Sequence, residues 1–210
     1  LVQRRAELLA HIQNTNSQYN LPEFGKKIGR ASNREGLSER FASPCVRKSI
    51  ELDTALIDTY DRELSALERY ILGQAKTHDR QSLYLLRSVP GIGEILSLTI
   101  LYEIENIERF EQVGNFLSYG RLVKCARESA GKRYGTGGAK IGNVHLRWAF
   151  GEAACLYLRN NPAGQKLHAR LVARHGKSKA LSILAQKLGR AVYFMLKRNA
   201  VFDPERFVKG

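Results

Sequence analysis

Leu85-Leu86-Arg87-Ser88-Val89-Pro90-Gly91-Ile92-Gly93-Glu94-Ile95-Leu96-Ser97-Leu98 has the pattern of two short helices joined by a tight turn. An apolar run leads into Pro-Gly-Ile-Gly, and a second apolar-periodic run follows at once, which predicts a helix-hairpin-helix. Gly91 and Gly93 can adopt positive φ without a steric penalty, because neither has a Cβ. The unpaired N–H groups at the start of the second helix would then form a seat for phosphate. An ordinary helix-turn-helix connection without a ligand is the alternative.

The charge of the chain favours a polyanionic partner. The 210 residues carry a formal net charge of +14, and 43% of them are hydrophobic, which is enough for a folded core. A basic excess of this size suits nucleic acid, although an acidic protein or a membrane face would also attract it. Between Ala153 and Phe202 there is no Asp or Glu, and a solvated basic face is the alternative to a binding surface. The basic residues of that stretch are Arg159, Lys166, Arg170, Arg174, Lys177, Lys179, Lys187, Arg190, Lys197 and Arg198.

Several classes of protein are disfavoured by what the sequence lacks. Cys45, Cys125 and Cys155 are odd in number and far apart, which predicts a reducing compartment without disulfides or structural zinc. No apolar run approaches the ~18–20 residues of a membrane span, and no Walker-type loop is present. Asp is absent from residues 80–202, which disfavours a two-metal nuclease centre there. Because the chain starts at Leu1 rather than Met, we expect it to be the later part of a longer polypeptide.

The periodicity predicts a mainly α fold in two regions, residues 1–79 and residues 80–210. Helices are expected at 1–18, 46–75, 112–119, 143–159, 163–175 and 178–199, in addition to the pair around the turn, the second of which runs to about residue 104. In the helix at 46–75 the apolar residues alternate spacings of four and three, which favours a coiled coil packed on the first helix or on another subunit. A plain amphipathic core helix is the alternative. The seam residues are Val46, Ile50, Asp53, Ile57, Tyr60, Leu64, Leu67 and Ile71.

Candidate chemistry lies in the glycine-rich, basic stretch at residues 120–142, which we expect to wrap closely around a phosphate backbone. Ser129 is placed between Arg127 and Lys132, with Arg133 adjacent. A serine in this setting could attack a phosphodiester while the cations stabilise the developing charge. Composition alone favours a turn or capping serine instead. The carboxylates of Glu103, Glu105, Glu108 and Glu111 are interpreted as a solvated face rather than a metal site.

Ordered motifs along most of the chain resemble one family, the DEDD-type insertion-sequence transposases, which are bridge-RNA-guided recombinases related to Piv DNA invertases. The resemblance covers nearly the whole chain and is strongest over residues 85–198. It rests on Ser88-Val89-Pro90-Gly91-Ile92-Gly93, Glu108-Arg109-Phe110, Phe116-Leu117-Ser118-Tyr119-Gly120-Arg121-Leu122-Val123, Glu128-Ser129-Ala130-Gly131-Lys132, Ile141-Gly142-Asn143, Leu146-Arg147-Trp148-Ala149 and Glu152-Ala153-Ala154.

The resemblance implies a division of labour. In that family an N-terminal RuvC-like domain holds Mg²⁺ through four acidic residues, and a coiled coil joins it to a helical domain whose serine forms a phosphoserine link to DNA. Ser129 matches that serine, although this chain has Ala130 where the family often has Gly. The acidic domain is missing from these residues, so we expect no metal site or cofactor here, Mg²⁺ supplied from elsewhere, and a fragment that is inactive alone.

The resemblance also implies roles and partners. Ser129 is the predicted nucleophile, with Arg127, Lys132 and Arg133 as phosphate and transition-state stabilisers. Gly91, Gly93, Lys140, Asn143 and Arg147 are the predicted contacts to the DNA backbone. DNA, a guide RNA and a second copy joined through the coiled coil are the expected partners, with no membrane, in a bacterial cytoplasm and associated with the nucleoid. Two rival functions remain: a non-catalytic helix-hairpin-helix module that binds nucleic acid, and a coiled-coil assembly protein with an incidental basic face.

Overall fold

The computed structural model describes residues 1–123, 125–129, 132–137 and 141–209, with the strand residues other than Gly135 described by their backbone alone. The described part is mainly α, as predicted. Its helices are α1 Val2–Gln18, α2 Pro44–His78, α3 Arg80–Arg87, α4 Glu94–Ile104, α5 Val113–Tyr119, α6 Val144–Tyr157, α7 Pro162–His175, α8 Lys177–Arg198 and α9 Pro204–Lys209. Short 3₁₀ turns lie at Ala31–Asn33, Leu37–Arg40 and Ile107–Arg109, and two strands are β1 Cys125–Ser129 and β2 Lys132–Gly137.

The chain forms two compact units, Leu1–Gln74 and Ala75–Gly210. The division lies inside α2, whereas the predicted boundary between residues 79 and 80 lies just after the end of that helix. Helix α2 continues through the division because no Pro lies there and Gly73 is tolerated in the interior of the helix. The sequence therefore indicates where the helix ends, whereas the division between the units depends on how the residues pack.

The first unit has a core built from α1, the N-terminal part of α2 and the connection between them. The buried residues of this core are Ile12, Ile28, Leu37, Phe41, Ile50 and Ile57. Residues 23–44 are polar and rich in glycine and serine, which predicts a loop with short helical pieces, and the structure has two 3₁₀ turns there. Three of the six core residues come from this connection, so it covers the apolar stripe of α2.

A buried arginine organises that connection. The Arg34 side chain is 1% exposed; its Nη2 donates to Oδ1 of Asp58 at 2.5 Å and to Oδ2 of Asp61 at 2.7 Å. Arg5 also donates to Asp61. Burial alone would raise the pKa of the Asp61 carboxyl, but the hydrogen bonds from Arg5 and Arg34 outweigh it and lower that pKa. A buried charge is tolerated because its partners satisfy it.

The predicted seam of α2 is buried unevenly. Ile50, Asp53 and Ile57 are buried, and Asp53 Oδ2 lies 2.6 Å from Nδ1 of His11 on α1. Further along the helix, Leu67 is 46% exposed. The N-terminal half of α2 therefore behaves as an amphipathic core helix, and the coiled coil itself stays a prediction.

The second unit packs around α8, which contacts α3, α5, α6 and α7, while α4 packs between α3 and α6. Its fully buried side chains include Phe116, Phe150, Tyr157, Leu146, Leu184 and Leu188. The aromatic rings of Phe116 and Phe150 meet edge to face with their centroids 6.1 Å apart. These contacts hold the α3–α4 turn within one helical framework.

The glycine-rich stretch contains an antiparallel hairpin, which the sequence did not predict. Strand β1 pairs with β2 so that Cys125 lies opposite Gly137 and Ser129 lies opposite Lys132. Between the Arg127–Gly135 and Glu128–Arg133 pairs Tyr134 is an extra residue, so β2 contains a bulge, and Gly135 has φ of +137°. These strands are rich in charged residues and glycine, so they lack the alternating apolar residues from which a strand is predicted.

Candidate nucleic-acid interface

The turn between α3 and α4, residues 88–93, is built around one glycine in the left-handed region. Gly91 has φ of +90°. Gly93 has φ of −82° and forms the N-terminal cap of α4 with no side-chain hydrogen bond. Of the two glycines, Gly91 adopts the positive φ that a glycine allows, whereas Gly93 enters the helix from extended backbone, which any residue adopts.

The two glycines also differ in what surrounds them. A Cβ on Gly91 would lie 2.6 Å from the backbone nitrogen of Tyr157 and 2.8 Å from the carbonyl oxygen of Ala153. At Gly93 nothing lies within 4 Å of the corresponding position. The turn is therefore pressed against the last turn of α6 at Gly91 and open at Gly93. Packing requires the first glycine, and the open space leaves room for a ligand at the second.

The turn is also tied to the C-terminal segment of the unit. The hydroxyl of Ser88 donates to the carbonyl of Leu85 at 2.7 Å and accepts the N–H of Phe202 at 3.1 Å. Glu94 follows the cap of α4, and its Oε2 lies 3.8 Å from Nη1 of Arg87. A negative side chain therefore already lies at the amino end of α4, so a phosphate there would depend on neighbouring cations.

Such cations line a depression beside the turn. Its lining includes Lys76, Arg80 and Arg87, with the Tyr84 ring 63% exposed and no carboxylate among the described lining residues. The depression has a volume of about 660 Å³ and is completed by Leu83 and Ser88. An open basic surface with an exposed aromatic ring is typical of sites that contact nucleic acid.

The hairpin brings predicted site residues together through its backbone. Ser129 ends β1, directly opposite Lys132, and Arg133 lies opposite Glu128. Arg127 lies on β1, the strand of Ser129, opposite Gly135 and next to the bulge in β2. Four of the residues predicted for phosphoryl chemistry therefore share one two-stranded element, while their side-chain positions lie outside the described part of the structure. Lys140 also lies outside the described residues. The roles of all five stay predictions.

The base of the hairpin is held by the residues where the chain enters and leaves it. The N–H of Asn143 donates to the carbonyl of Tyr119 at 2.6 Å, and Nε of Arg121 donates to the carbonyl of Gly142 at 2.9 Å. Gly142 has φ of +111°, and a Cβ there would lie 2.7 Å from the carbonyl oxygen of Tyr119. The close approach of the two chain segments therefore depends on Gly142, which the sequence did not single out for this purpose.

Asn143 serves the fold as well as any ligand. Its Oδ1 caps α6 by accepting the N–H of Leu146 at 2.9 Å. Its Nδ2 donates to Oε2 of Glu103 at 2.5 Å and lies 3.4 Å from the hydroxyl of Tyr119. The predicted contact of Asn143 with DNA stays a prediction, and the structure adds two residues that position it. Glu103 had been interpreted as part of a solvated face, and sequence spacing carries no signal for a partner 40 residues away.

The remaining predicted contact and the acidic residues are also accounted for. Arg147 is exposed on the first turns of α6, next to Trp148, which is 49% exposed. Glu108 pairs with Lys197, with Nζ and Oε2 at 2.6 Å. Among the residues that the structure describes, no group of three His, Cys, Asp or Glu side chains could hold a metal ion. Within the same residues no helix is both long and apolar enough to cross a membrane.

Part of the second unit is similar to a family of transposases. Residues 83–169 match the family model of the IS116/IS110/IS902 transposases. This range runs from α3 to α7 and includes both the turn and the hairpin. The findings support an insertion-sequence transposase-family domain in this part of the chain. Helices α8 and α9 and the first unit lie outside the matched range.

A second similarity extends over nearly the whole chain. The transposase for insertion sequence element IS1111A from Coxiella burnetii is 26% identical over 215 aligned positions, which cover 96% of this chain. The chain spans 57% of the length of that curated relative. The acidic domain, the guide RNA and the link to Piv invertases that the sequence resemblance implied stay predictions.

Proposed function

We propose that this chain is the serine-bearing, DNA-binding part of an insertion-sequence transposase that cuts and rejoins DNA through a phosphoserine intermediate. The main support is the family match over residues 83–169, because that range contains Ser129 at the end of β1 with Lys132 opposite it. The basic depression beside the α3–α4 turn supplies positive charge for binding DNA.

The proposed reaction exchanges one ester bond for another. The Ser129 hydroxyl oxygen attacks a backbone phosphorus, a new P–O bond to serine forms, and the bond from phosphorus to a deoxyribose oxygen breaks. The serine loses its proton, and the departing oxygen gains one. Arg127, Lys132 and Arg133 stabilise the charge on the phosphoryl oxygens. Reversal of the same exchange onto a second DNA end rejoins the strand, so no net hydrolysis is needed.

The proposal also includes three things that act with this chain. They are Mg²⁺ held by an acidic RuvC-like domain, a guide RNA, and a second copy that pairs through α2. The described residues do not fit a metal, since they contain no group of three suitable ligands, and no step is assigned to one here. We accordingly expect residues 1–210 alone to bind DNA without forming a covalent product.

The decisive experiment traps the covalent intermediate. The full-length transposase is incubated with a fluorescent duplex that carries the DNA flanking its element, and adducts that survive denaturing electrophoresis are counted. Ser129→Ala should abolish the adduct, because alanine has no attacking oxygen. Ser178→Ala, which changes an exposed serine at the start of α8, serves as the matched control and should retain the adduct. Adduct formation by the Ser129→Ala protein at the wild-type level would contradict the proposal.

A non-catalytic module that binds nucleic acid is the second candidate. It is favoured by the basic depression of Lys76, Arg80 and Arg87, which adjoins the turn and needs no reactive serine. The two candidates share DNA binding but differ in the adduct. If the full-length protein binds the duplex but neither forms the adduct nor rejoins DNA, the binding module is the correct function.

A further inference from the structure

A groove between the C-terminal half of α8 and the segment that leads through α9 contains a cluster of cations with no assigned role. Its basic lining residues are Lys187, Arg190, Arg198 and Arg206, and Asp203 is the one carboxylate among the described lining residues. The floor is apolar, with Phe194, Phe202 and Phe207, and the groove has a volume of about 540 Å³. We refer to it as the α8–α9 groove.

The cations of this groove are not neutralised within the fold. Among the residues that the structure describes, none of the four basic side chains lies within ion-pair distance of a carboxylate. Asp203 is engaged elsewhere, because its Oδ1 accepts the backbone N–H of Arg206 at 3.0 Å. Four like charges around one cavity repel each other, and an anion in the cavity would remove that repulsion.

The positively charged groups are held in place by aromatic rings. The guanidinium carbons of Arg190 and Arg198 lie 5.4 and 4.8 Å from the centroid of the Phe194 ring. Nζ of Lys187 lies 5.3 Å from the centroid of Phe207. Cation–π contacts of this kind restrict long side chains without neutralising them. They also occupy the Phe194 ring, which is then not free to stack on a base.

The environment of Lys187 would favour an anionic ligand. Burial lowers the pKa of the Lys187 ammonium, and the nearby charge of Arg170 lowers it further. The charged form of this side chain is therefore less favoured in the fold than in water. A bound phosphate would stabilise the charged form.

We propose that the α8–α9 groove binds the phosphate backbone of nucleic acid, independently of base sequence. The proposal takes from the proposed function only that the ligand of this chain is nucleic acid, and its residues differ from those of the turn and the hairpin. Lys187 and Arg198 lie eleven residues apart on α8, about 16 Å along the helix axis, which is long enough to contact more than one phosphate. The groove also lies outside residues 83–169, the range that matches the transposase family model.

A charge-matched pair of variants of the 210-residue chain tests the proposal. The groove variant carries Lys187→Gln, Arg190→Gln and Arg198→Gln; the control carries Lys166→Gln, Arg174→Gln and Lys179→Gln, which remove exposed cations from α7 and the start of α8. Affinity is measured by fluorescence anisotropy with duplex DNA, single-stranded DNA and RNA of unrelated sequences, at about 50 to 200 mM salt. The control removes as much net charge as the groove variant, so it reports any general effect.

The groove variant should bind about tenfold more weakly or worse, and its plot of log affinity against log salt should be shallower by about two. The control should lose no more than about threefold. A loss confined to DNA or to RNA would assign the groove to that backbone and support the proposal. Equal losses in the two variants would show a diffuse charge effect and overturn it, as would no loss, or a loss confined to one base sequence.

Two further measurements separate charge from packing and from the proposed function. Arg190→Lys with Arg198→Lys keeps the charge but gives up the planar guanidinium, so it should lose clearly less affinity than Arg190→Gln with Arg198→Gln. Equal losses in these two variants would show that the groove does not act through charge and would overturn the proposal. In the full-length protein at saturating DNA, the groove variant should still form the Ser129 adduct. Affinity of the 210-residue chain and adduct formation by the full-length protein are separate measurements, so failure of one proposal does not imitate failure of the other.

Discussion

The α3–α4 turn and the β1–β2 hairpin both depend on a glycine, yet the fold uses the two glycines differently. The turn is packed against α6 at Gly91 and tied to Phe202 through Ser88. The hairpin is anchored at its base, where Gly142 and Asn143 meet the end of α5. In the turn, a glycine allows close packing of helices, whereas at the hairpin base a glycine allows two chain segments to approach closely. A glycine in a sequence motif therefore does not by itself reveal its role.

The largest effect is expected at the turn. Gly91→Ala combines a positive φ with overlap against the backbone of α6, which does not move easily, and should lower the free energy of unfolding by about 3 kcal/mol. Urea unfolding followed by the fluorescence of Trp148, the single tryptophan of the chain, measures this directly on the second unit. A change below about 1 kcal/mol would contradict the close packing at Gly91.

The hairpin base should respond almost as strongly. Gly142→Ala places a methyl group 2.7 Å from the carbonyl of Tyr119 at a φ of +111°, and should cost about 2 kcal/mol. Because the strain lies at the anchor of the hairpin, the full-length protein should also lose adduct formation at temperatures where it remains folded. Gly151→Ala is a suitable control, since nothing lies within 4 Å of a Cβ there and the site is inside α6. Equal stability of the two variants would contradict the anchoring role of Gly142.

A smaller effect is expected at Asn143. Asn143→Asp keeps an oxygen that can cap α6 but sets a second carboxylate against Glu103, whose Oε2 lies 2.5 Å from the Asn143 amide nitrogen. We expect this variant to lower the free energy of unfolding by about 1–2 kcal/mol, because two like charges would face each other. Asn143→Ser retains the cap without the second charge and should cost less. Equal stability of the two variants in urea unfolding would disprove the contact.

The smallest effect is expected at Gly93, the partner of Gly91 in the same motif. Gly93→Ala meets no atom within 4 Å and adopts no unusual φ, so its cost should stay below about 1 kcal/mol, as for other N-cap changes. This variant tests DNA binding. If phosphate approaches the bare backbone at Gly93, the added methyl group should weaken the affinity for DNA, while the fluorescence of Trp148 shows that the fold is intact. Unchanged affinity would remove Gly93 from the interface.

The sequence predicted the helices of the second unit closely, because each has an apolar face repeated at helical spacing. Residues 163–175 and 178–199, for example, became α7 Pro162–His175 and α8 Lys177–Arg198. It did not predict α9 or the hairpin. The strands carry charged residues and glycines rather than an alternating apolar pattern, and their pairing is made by main-chain groups that any sequence contains.

The sequence predicted residues of the candidate site but not the residues that hold them in position. Gly91 and Asn143 were singled out for contacts with phosphate, and the structure gives both a role within the fold. Glu103 and Gly142 were not singled out for the supporting roles they have. Their function depends on partners distant in sequence, and spacing along one helix carries no information about such partners.

By itself the sequence determined the mainly helical class, the turn between α3 and α4, and the uncompensated positive charge toward the C-terminus. These properties follow from periodicity, glycine and proline placement and composition, all of which are local. The tertiary structure alone decided that Gly91 packs on α6, that Asn143 joins the hairpin base to Glu103, and that four cations of α8 and its C-terminal neighbour surround one groove. Each of these contacts joins segments that are distant in the sequence and meet when apolar surface is buried. Composition drives that burial, but it does not specify which segments meet.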